Sequence, residues 1–313
     1  MSSTASIPPR PASGRPAPVP LPAWRRAARP YLLTVPAVIL TIGILYPFLL
    51  GAYYAFENRR ASRPDPEWVG LDNFQRILEN DSFYKSALVT FQFAVAATAV
   101  QTLLGLGVAL LLARGTRTGS VLERLLIMPL MIAPILATII WKLMMAPSVG
   151  ILSYVLTPIG LGGHAWTDTP FDAFTSIVLI DTWIYTPFVA LLILAGLRSL
   201  PRAPFEAAAV EGASFWYTFR FLTLPMLWPY ILVAVIFRFM DSLKVFDVIY
   251  GLTQGGPGDS MMSLQVRAYQ EAITFSNYSR GLTYMLLLWL VVYIATKGMV
   301  TVLAKAQARA AGI

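Results

Sequence analysis

The chain has 313 residues, of which 57% are hydrophobic and 13% are charged, and its mean hydropathy is +0.63. A soluble globular domain of this length is less apolar, so the composition indicates an integral membrane protein that lies in a lipid bilayer. The formal charge of +8 comes mainly from the excess of lysine and arginine on one side of the membrane, so it gives no reason to expect nucleic-acid binding.

The first 30 residues are rich in proline, alanine and serine, and they are predicted to form a flexible tail. They lack the apolar core and small-residue cleavage site of a signal peptide. The first long apolar run, which starts at Tyr31, is therefore predicted to be a membrane helix that stays in the protein.

Six apolar runs are long enough to cross a bilayer core of about 30 Å as helices, which takes roughly 20 residues. None alternates strictly between apolar and polar residues as a strand of a membrane barrel does. The sequence therefore predicts an all-α membrane protein with six transmembrane helices. The predicted spans are 31–56, 86–112, 125–147, 174–197, 226–250 and 282–303, and residues 57–85 form the first loop between them.

The lysines and arginines are distributed unequally between the two sides of this bundle. Fourteen lie on the side that holds both termini, and seven lie on the opposite side. Because cytoplasmic loops carry the excess of positive residues, both termini are predicted to be cytoplasmic, including the short tail 306–313. The loop 57–85 is then external, and the loop 198–225 is cytoplasmic.

The loop before the fifth span contains "EAAAVEGASFWYTFRFLTLP", residues 206–225, which is too polar to span a bilayer cheaply. A helix over about 204–219 is predicted because apolar and small residues recur at helical spacing. That stripe consists of Phe205, Ala208, Ala209, Gly212, Trp216 and Phe219. Periodicity alone leaves two interpretations open: a helix that lies in the headgroup layer, or a surface that another protein approaches closely.

Four charged residues fall within the fifth predicted span at every third position, as Arg238, Asp241, Lys244 and Asp247. One charge near the bilayer centre costs about 2.5–3.5 kcal/mol, so these side chains must face partners or a hydrated cavity. They form either a structural ladder of ion pairs between helices or the lining of a translocation path. The second interpretation is favoured because the polar stripe continues to Tyr250.

Three stretches resemble a known family. Glu206-Ala207-Ala208 followed by Gly212 and by Leu224-Pro225 resembles the EAA loop of ABC importer permeases, although Leu222 and Glu211 stand where isoleucine and aspartate are usual. The run "FDVIYGLTQGGP", residues 246–257, resembles a stretch of carbohydrate permeases in the maltose and glycerol-phosphate group, as does "GLDNF" at 70–74. Together the matches span about residues 30–305.

The resemblance implies a type I ABC importer permease fold, with the transmembrane domain over 86–305 and a cytoplasmic coupling helix at about 204–219. It implies that the coupling helix docks on an ATPase, and that this chain binds no cofactor itself. The residues implied in that docking are Glu206, Ala207, Ala208, Glu211, Gly212, Ala213, Leu224 and Pro225.

The partners implied are a second homologous permease, an extracytoplasmic solute-binding protein and two ATPase subunits that bind ATP and magnesium. The cargo implied is a sugar or related polyol, and the location implied is the bacterial inner membrane. The family leaves open which of the two permeases holds most of the contacts to the cargo.

Recognition of sugar hydroxyls requires carboxylates, amides and aromatic rings in a hydrated space. The predicted path residues are Asp181, Arg238, Asp241, Lys244, Asp247 and Tyr250. Trp183 and Tyr185 are further candidates, although aromatic residues of this kind are more often interfacial anchors. Gln101, Asn277 and Tyr284 are possible contributors that one sequence cannot rank.

Several other functions are disfavoured by what the sequence lacks. There is no cysteine, no phosphate-binding G-x-x-x-x-G-K-[ST] motif and only one histidine, His164, which is predicted to be a solvated loop residue. We therefore expect no catalytic residues and no metal site in this chain. An ion-coupled secondary transporter that uses Asp181, Asp241 and Asp247 remains the alternative to an ATP-driven importer.

Overall fold

The computed structural model describes residues 23–62, 65–113, 115 and 117–310 of the chain. Most of the predicted N-terminal tail, residues 1–22, and residues 311–313 lie outside the described residues. Helix α1 already begins at Ala23, so residues 23–30 of the predicted tail are helical. The last helix likewise continues to Ala310 through the predicted C-terminal tail.

Thirteen α-helices follow one another along the described residues. Their bounds are α1 Ala23–Tyr54, α2 Asp72–Leu78, α3 Asp81–Leu112, α4 Arg117–Leu126, α5 Pro134–Met144, α6 Ile151–Val155, α7 Pro170–Ser199, α8 Ala203–Val210, α9 Phe215–Thr218, α10 Leu224–Ser242, α11 Asp247–Thr253, α12 Leu264–Tyr269 and α13 Tyr278–Ala310. Short 3-10 turns lie at Met128–Met131 and Thr157–Ile159, and π-helical turns at Phe219–Thr223 and Gln270–Thr274.

The chain divides into two compact units, residues up to Leu50 and residues Gly51–Ile313, and each is described by itself. The first unit contains most of α1, an apolar helix that is long enough to span a membrane from Thr34. The second unit contains the other helices and all the residues discussed as a functional site.

Four segments of the second unit are long continuous helices that correspond to predicted spans. Residues Asp81–Leu112, Pro170–Ser199, Phe215–Ser242 and Tyr278–Lys305 each have the length and composition of a span. With α1, the described residues therefore contain five such helices, or six when the bent pair around residue 132 counts as one span.

The third predicted span, 125–147, is wrong as a single helix. The chain bends by 96° between Gly119–Met131 and Pro134–Met144. Ala133, the residue before Pro134, has an extended backbone with ψ of 129°, as the proline ring requires of its predecessor. Pro129 lies in the 3-10 turn just before this break, so two prolines explain why the helix cannot continue.

The fifth predicted span, 226–250, also ends earlier than expected. Helix α10 stops at Ser242, and a new helix, α11, starts at Asp247 after a non-helical Phe246. No proline or glycine lies in this break. The hydroxyl of Ser242 donates a hydrogen bond of 2.9 Å to the carbonyl of Arg238, a contact that competes with the helical backbone pattern.

The starts of the two central helices are set by capping residues. The side chain of Asn80 accepts a hydrogen bond of 2.9 Å from the backbone N–H of Ser82 at the start of α3. Thr169 caps α7 by accepting one of 3.1 Å from the N–H of Asp172, and Pro170 occupies the first turn. Side chains thus satisfy backbone donors that the helices leave free.

The core of the second unit is built around α3 and α7, which pack closely along their lengths. At Gly105 of α3, a Cβ atom would lie 2.8 Å from Cγ1 of Val189 on α7, so only glycine permits this approach. Buried residues of α7 then pack outward in two clusters. Ile177, Ile180 and Ile184 join the cluster with α11, and Val189, Ile193 and Leu194 join the cluster with α10.

Candidate functional site

A small polar cavity of about 90 Å³ lies where α5, α7, α10 and α11 meet. It is lined by Pro134, Asp181, Tyr185, Arg238, Asp241, Lys244, Val245, Phe246, Asp247 and Val248. Five of the six predicted path residues are therefore brought together, and the exception is Tyr250. The two breaks in predicted spans contribute directly, because Pro134 begins α5, residues 243–246 form the turn after α10, and Asp247 begins α11.

A buried network centred on Arg238 closes one side of the cavity. The Arg238 side chain is 2% exposed and donates to Asp181 Oδ2, to Gln101 Oε1 and, at 2.9 Å, to Asp241 Oδ2. Gln101 in turn donates a hydrogen bond of 2.7 Å from Nε2 to Asp181 Oδ2. The network joins α3, α7 and α10, and each guanidinium nitrogen has a partner.

The face of Tyr185 completes the surroundings of this guanidinium. The Arg238 Cζ atom lies 4.2 Å from the centroid of the Tyr185 ring, a cation–π geometry. Tyr185 is thus part of the cavity wall in the body of α7. Trp183 instead lies edge-on to Trp141, with ring centroids 5.8 Å apart, and does not line the cavity.

The four charged residues do not share one helix, so the prediction that one continuous fifth span carries all of them is wrong. Arg238 and Asp241 lie on α10, whereas Lys244 lies in the turn that follows and Asp247 begins α11. Arg238 is buried, but the side chain of Asp241 is 54% exposed. The side chains of Lys244 and Asp247 have no ion-pair or hydrogen-bond partner among the described residues, and both line the cavity.

Three aromatic rings form a stack beside the cavity. Phe246 lies parallel to Tyr250 with centroids 5.0 Å apart, and Tyr269 lies edge-on to Tyr250 at 4.9 Å. Phe246 contributes to the cavity wall, whereas Tyr250 lies behind it. The other possible contributors are elsewhere, because Tyr284 is buried beside Phe83 and Asn277 lines a different pocket.

The coupling segment is not one helix over 204–219, and that prediction is corrected. Helix α8 ends at Val210, and Gly212 has a left-handed φ of 74°. The N–H of Ala213 donates to the carbonyl of Ala208 at 2.9 Å and that of Gly212 to Ala209 at 3.2 Å. This pair of bonds is a Schellman motif, which ends a helix and strongly favours glycine at its left-handed position.

A second helix begins directly after this motif. The Ser214 hydroxyl accepts a hydrogen bond of 3.3 Å from the N–H of Tyr217 and so caps α9. From Phe215 the helix continues through the π-helical turn to Ser242. The predicted stripe is therefore divided, with Phe205, Ala208 and Ala209 on α8 and Trp216 and Phe219 beyond the bend.

The surface of α8 is open. Glu206, Ala207, Glu211 and Gly212 are exposed, and Val210 is 90% exposed, while Ala208 is buried. A pocket of about 590 Å³ lies between α8 and the end of α7 and is lined in part by Arg198, Phe205 and Glu206. Of the other motif residues, Leu224 and Pro225 begin α10.

Two contacts had no signal in the sequence. Arg198 at the end of α7 forms a bidentate ion pair with Glu123 of α4, with nitrogen–oxygen distances of 3.0 and 2.8 Å. His164 is half-buried rather than fully solvated, because Nε2 lies 3.2 Å from Asp172 Oδ1 and its ring is edge-on to Trp166. Both contacts join residues that are distant along the chain or in separate elements.

Comparisons with known proteins identify the class of this bundle. Residues 101–309, more than half of the chain, match the family described as the binding-protein-dependent transport system inner membrane component. The chain belongs to this family. It is therefore a membrane-spanning permease subunit of an importer, in the inner membrane, and the resemblance drawn from its motifs is confirmed.

Individual relatives cover most of the chain. The trehalose/maltose transport system permease protein MalF of Thermococcus litoralis is 34% identical over 278 residues, which cover 87% of this chain and 94% of that protein. The sulfoquinovosyl glycerol transport system permease protein SmoG of Agrobacterium fabrum is 32% identical over 251 residues, or 80% and 82% of the two chains.

A solved structure shares the fold. A chain of a bacterial ABC transporter involved in the import of the acidic polysaccharide alginate superposes with a TM-score of 0.78 at 20% identity, over 90% of this chain and 98% of that one. The predicted all-α importer permease fold is confirmed. The comparisons favour the importer over the ion-coupled secondary transporter, because the family is one of binding-protein-dependent systems.

Proposed function

We propose that this permease forms half of the translocation path for a sugar or related polyol, and that the cavity around Asp241, Lys244 and Asp247 is its share of that path. The cavity is the observation that carries the proposal. Asp241 is half-exposed, and Lys244 and Asp247 have no side-chain partners among the described residues, so these groups are available to bind hydroxyls. The relatives named as maltose and sulfoquinovosyl glycerol permeases support a carbohydrate cargo.

We assign the two roles that the sequence left as alternatives to different residues. The buried network of Asp181, Arg238 and Gln101 is proposed to be structural, because its hydrogen bonds and its Arg238–Asp181 ion pair join three helices. Asp241 and the residues after α10 form the face that meets cargo. Weak binding suffices for such a face, because a transported solute must also leave it.

The exposed face of α8 is proposed to dock on one of two cytoplasmic ATPase subunits, which bind ATP and magnesium. Glu206, Ala207, Glu211 and Gly212 form this face, and Ala208 packs beneath it. The helix that follows runs without interruption from Phe215 to Ser242, about 42 Å at 1.5 Å per residue. A displacement of the docked segment is therefore transmitted along this continuous helix to Asp241 at the cavity.

The transport cycle that follows is alternating access without covalent chemistry. ATP binding closes the ATPase dimer, moves the docked segment and opens the bundle outward to accept cargo from an extracytoplasmic solute-binding protein. Hydrolysis returns the bundle to its inward-facing form. A second homologous permease supplies the other half of the path, and both termini of this chain lie in the cytoplasm.

Reconstitution of the complete transporter tests this function. The two permeases and the ATPases are placed in proteoliposomes with the solute-binding protein outside and ATP inside, and uptake of labelled maltose, trehalose and glycerol is measured. We expect uptake of at least one sugar or polyol that requires ATP and the binding protein. Uptake that proceeds without ATPases and follows a proton or sodium gradient would contradict the proposal.

A further inference from the structure

A second polar pocket, of about 490 Å³, lies at the end of the bundle opposite α8. It is formed by the loop after α1 and by the chain between α12 and α13. The side chains used in the argument are Arg60, Ser62, Glu271, Phe275, Asn277 and Arg280. None of these residues belongs to the cavity described above, and the transport cycle assigns them no role.

The backbone around this pocket is held rigidly. The N–H of Arg59 donates to the Ser279 hydroxyl at 2.7 Å, and the N–H of Ser279 donates back to the Arg59 carbonyl at 3.2 Å. The N–H of Ala61 donates to the carbonyl of Ser276 at 3.0 Å, and Ser276 itself has a left-handed φ of 54°. Because these bonds fix both walls, a ligand would find the pocket already shaped.

The charges of the pocket favour an anion. Arg60 is exposed, and its guanidinium has no partner among the described residues. Arg280 lies 3.5 Å from Glu271, from Nε to Oε1, and its side chain remains 35% exposed. Two arginines and one buried glutamate thus line the pocket, which leaves one positive charge in excess. Guanidinium groups bind carboxylates through two parallel hydrogen bonds.

The rim of the pocket has the composition of a protein interface. Phe275 is 66% exposed beside the arginines, and Ser62 and Asn277 add hydrogen-bonding groups. Exposed aromatic and arginine side chains around a preformed pocket are typical of residues that dominate protein–protein binding energy. A lipid phosphate would also pair with the arginines, so the experiment below separates the two ligands by the lipid composition of the nanodiscs.

We infer that this pocket receives a carboxylate-bearing segment of the solute-binding protein. The inference rests on the proposed function, which places this end of the bundle outside the cytoplasm. An aspartate or glutamate side chain of the partner would bind Arg60 and Arg280, and an adjacent apolar side chain would cover Phe275.

Binding of the solute-binding protein to the complete transporter tests the inference. The transporter is placed in nanodiscs of zwitterionic lipid, and the dissociation constant of the purified binding protein is measured at low and at physiological salt. We expect Arg60→Glu to weaken binding about tenfold or more at low salt and to reduce the salt dependence, because a close charge pair is replaced by repulsion.

Arg76→Glu is the matched control. Arg76 lies on α2 in the same loop, its side chain is 70% exposed, and it is absent from the pocket. It is expected to change the dissociation constant less than twofold, since rim charges outside a contact act only at long range. Arg280→Glu should weaken binding to a similar extent. Because Arg280 also pairs with Glu271, its substitution changes the pocket itself, so the result for the exposed Arg60 decides the test.

The outcomes are distinct. Equal weakening by Arg60→Glu and Arg76→Glu, or no weakening by Arg60→Glu, would overturn the docking pocket. So would an effect of Arg60→Glu that appears only in nanodiscs of anionic lipid, which would assign the pocket to lipid headgroups. Failure of the unaltered transporter to bind the solute-binding protein at all would instead contradict the proposed function.

Discussion

Arg238 is the residue on which the interpretation of the cavity depends. A buried guanidinium with a full set of hydrogen bonds costs much less than an unpaired one, but the pair is not a source of large net stability. Its geometry points to specificity, since only one arrangement of α3, α7 and α10 lets Gln101, Asp181 and Arg238 meet. Asp241 accepts a hydrogen bond from Arg238 but is half-exposed, and Asp247 has no partner among the described residues, so both are proposed to meet cargo.

Neutralising the buried Asp181 should lower stability, whereas neutralising the half-exposed Asp241 should lower transport. Asp181→Asn leaves Arg238 short of its buried counter-charge and is expected to cost about 3 kcal/mol, which lowers the thermal unfolding temperature of the purified complex. Asp241→Asn, at a half-exposed position, is expected to change the free energy of unfolding by less than about 1 kcal/mol. It should nevertheless reduce ATP-dependent sugar uptake.

A double substitution is the control for the buried ion pair. The pair Asp181→Leu with Arg238→Met removes both charges and should recover most of the stability that Asp181→Asn alone loses. Full transport by a well-folded Asp241→Asn variant would show that this carboxylate is not part of the path. The structural ladder would then be the better interpretation of all four charges.

The bend at Gly212 is the feature of the coupling segment that matters most at the scale of helices. It separates α8, whose exposed face is proposed to dock on the ATPase, from the long helix that reaches the cavity. The added Cβ of an alanine at Gly212 would meet no atom within 4 Å, so only its left-handed φ of 74° opposes substitution. This makes the bend testable without a steric clash.

Gly212→Ala should weaken coupling, and Gly298→Ala is its matched control. Alanine in a left-handed conformation costs about 1 kcal/mol, so Gly212→Ala is expected to displace α8 and to lower the ATPase activity stimulated by the binding protein. Gly298 lies inside α13, also with open space around an added Cβ, and there alanine should be neutral or stabilising by up to about 1 kcal/mol. Equal ATPase activity in both variants would contradict the role of the bend.

Most of the helices, but not their interruptions, could be predicted from the sequence. Apolar length is a local property, so the first, second, fourth and sixth predicted spans agree with long helices to within about five residues at each end. The break before Pro134 had a local signal in two prolines, which the apolar length concealed. The break after Ser242 has no such signal, because residues 243–246 contain neither proline nor glycine.

The candidate site shows the same limit. The spacing of Arg238, Asp241, Lys244 and Asp247 indicated that charges must be sheltered, and they do converge on one cavity. Which of them are neutralised could not be predicted, because the partners of Arg238 lie 57 and 137 positions away on other helices. Residue spacing within one helix carries no information about register between helices.

At the scale of the whole molecule, the unequal distribution of lysine and arginine predicts one orientation of the bundle in the membrane. The proposed ATPase surface on α8 and the pocket around Arg60 lie at opposite ends of the bundle, so one orientation decides both. An inverted protein could neither dock on a cytoplasmic ATPase through α8 nor meet an external binding protein at Arg60. A direct measurement of the orientation therefore tests both proposals at once.

The absence of cysteine makes that measurement clean, because a single introduced thiol is the only site of labelling in the chain. Ser62→Cys and Ser120→Cys are matched variants at exposed positions, in the loop after α1 and in α4. In intact cells, we expect a membrane-impermeant maleimide to label Cys at position 62 at once and position 120 only after the membrane is permeabilised. This follows from the seven and fourteen positive residues on the two sides. The reverse pattern would place α8 outside and would contradict the coupling and docking proposals together.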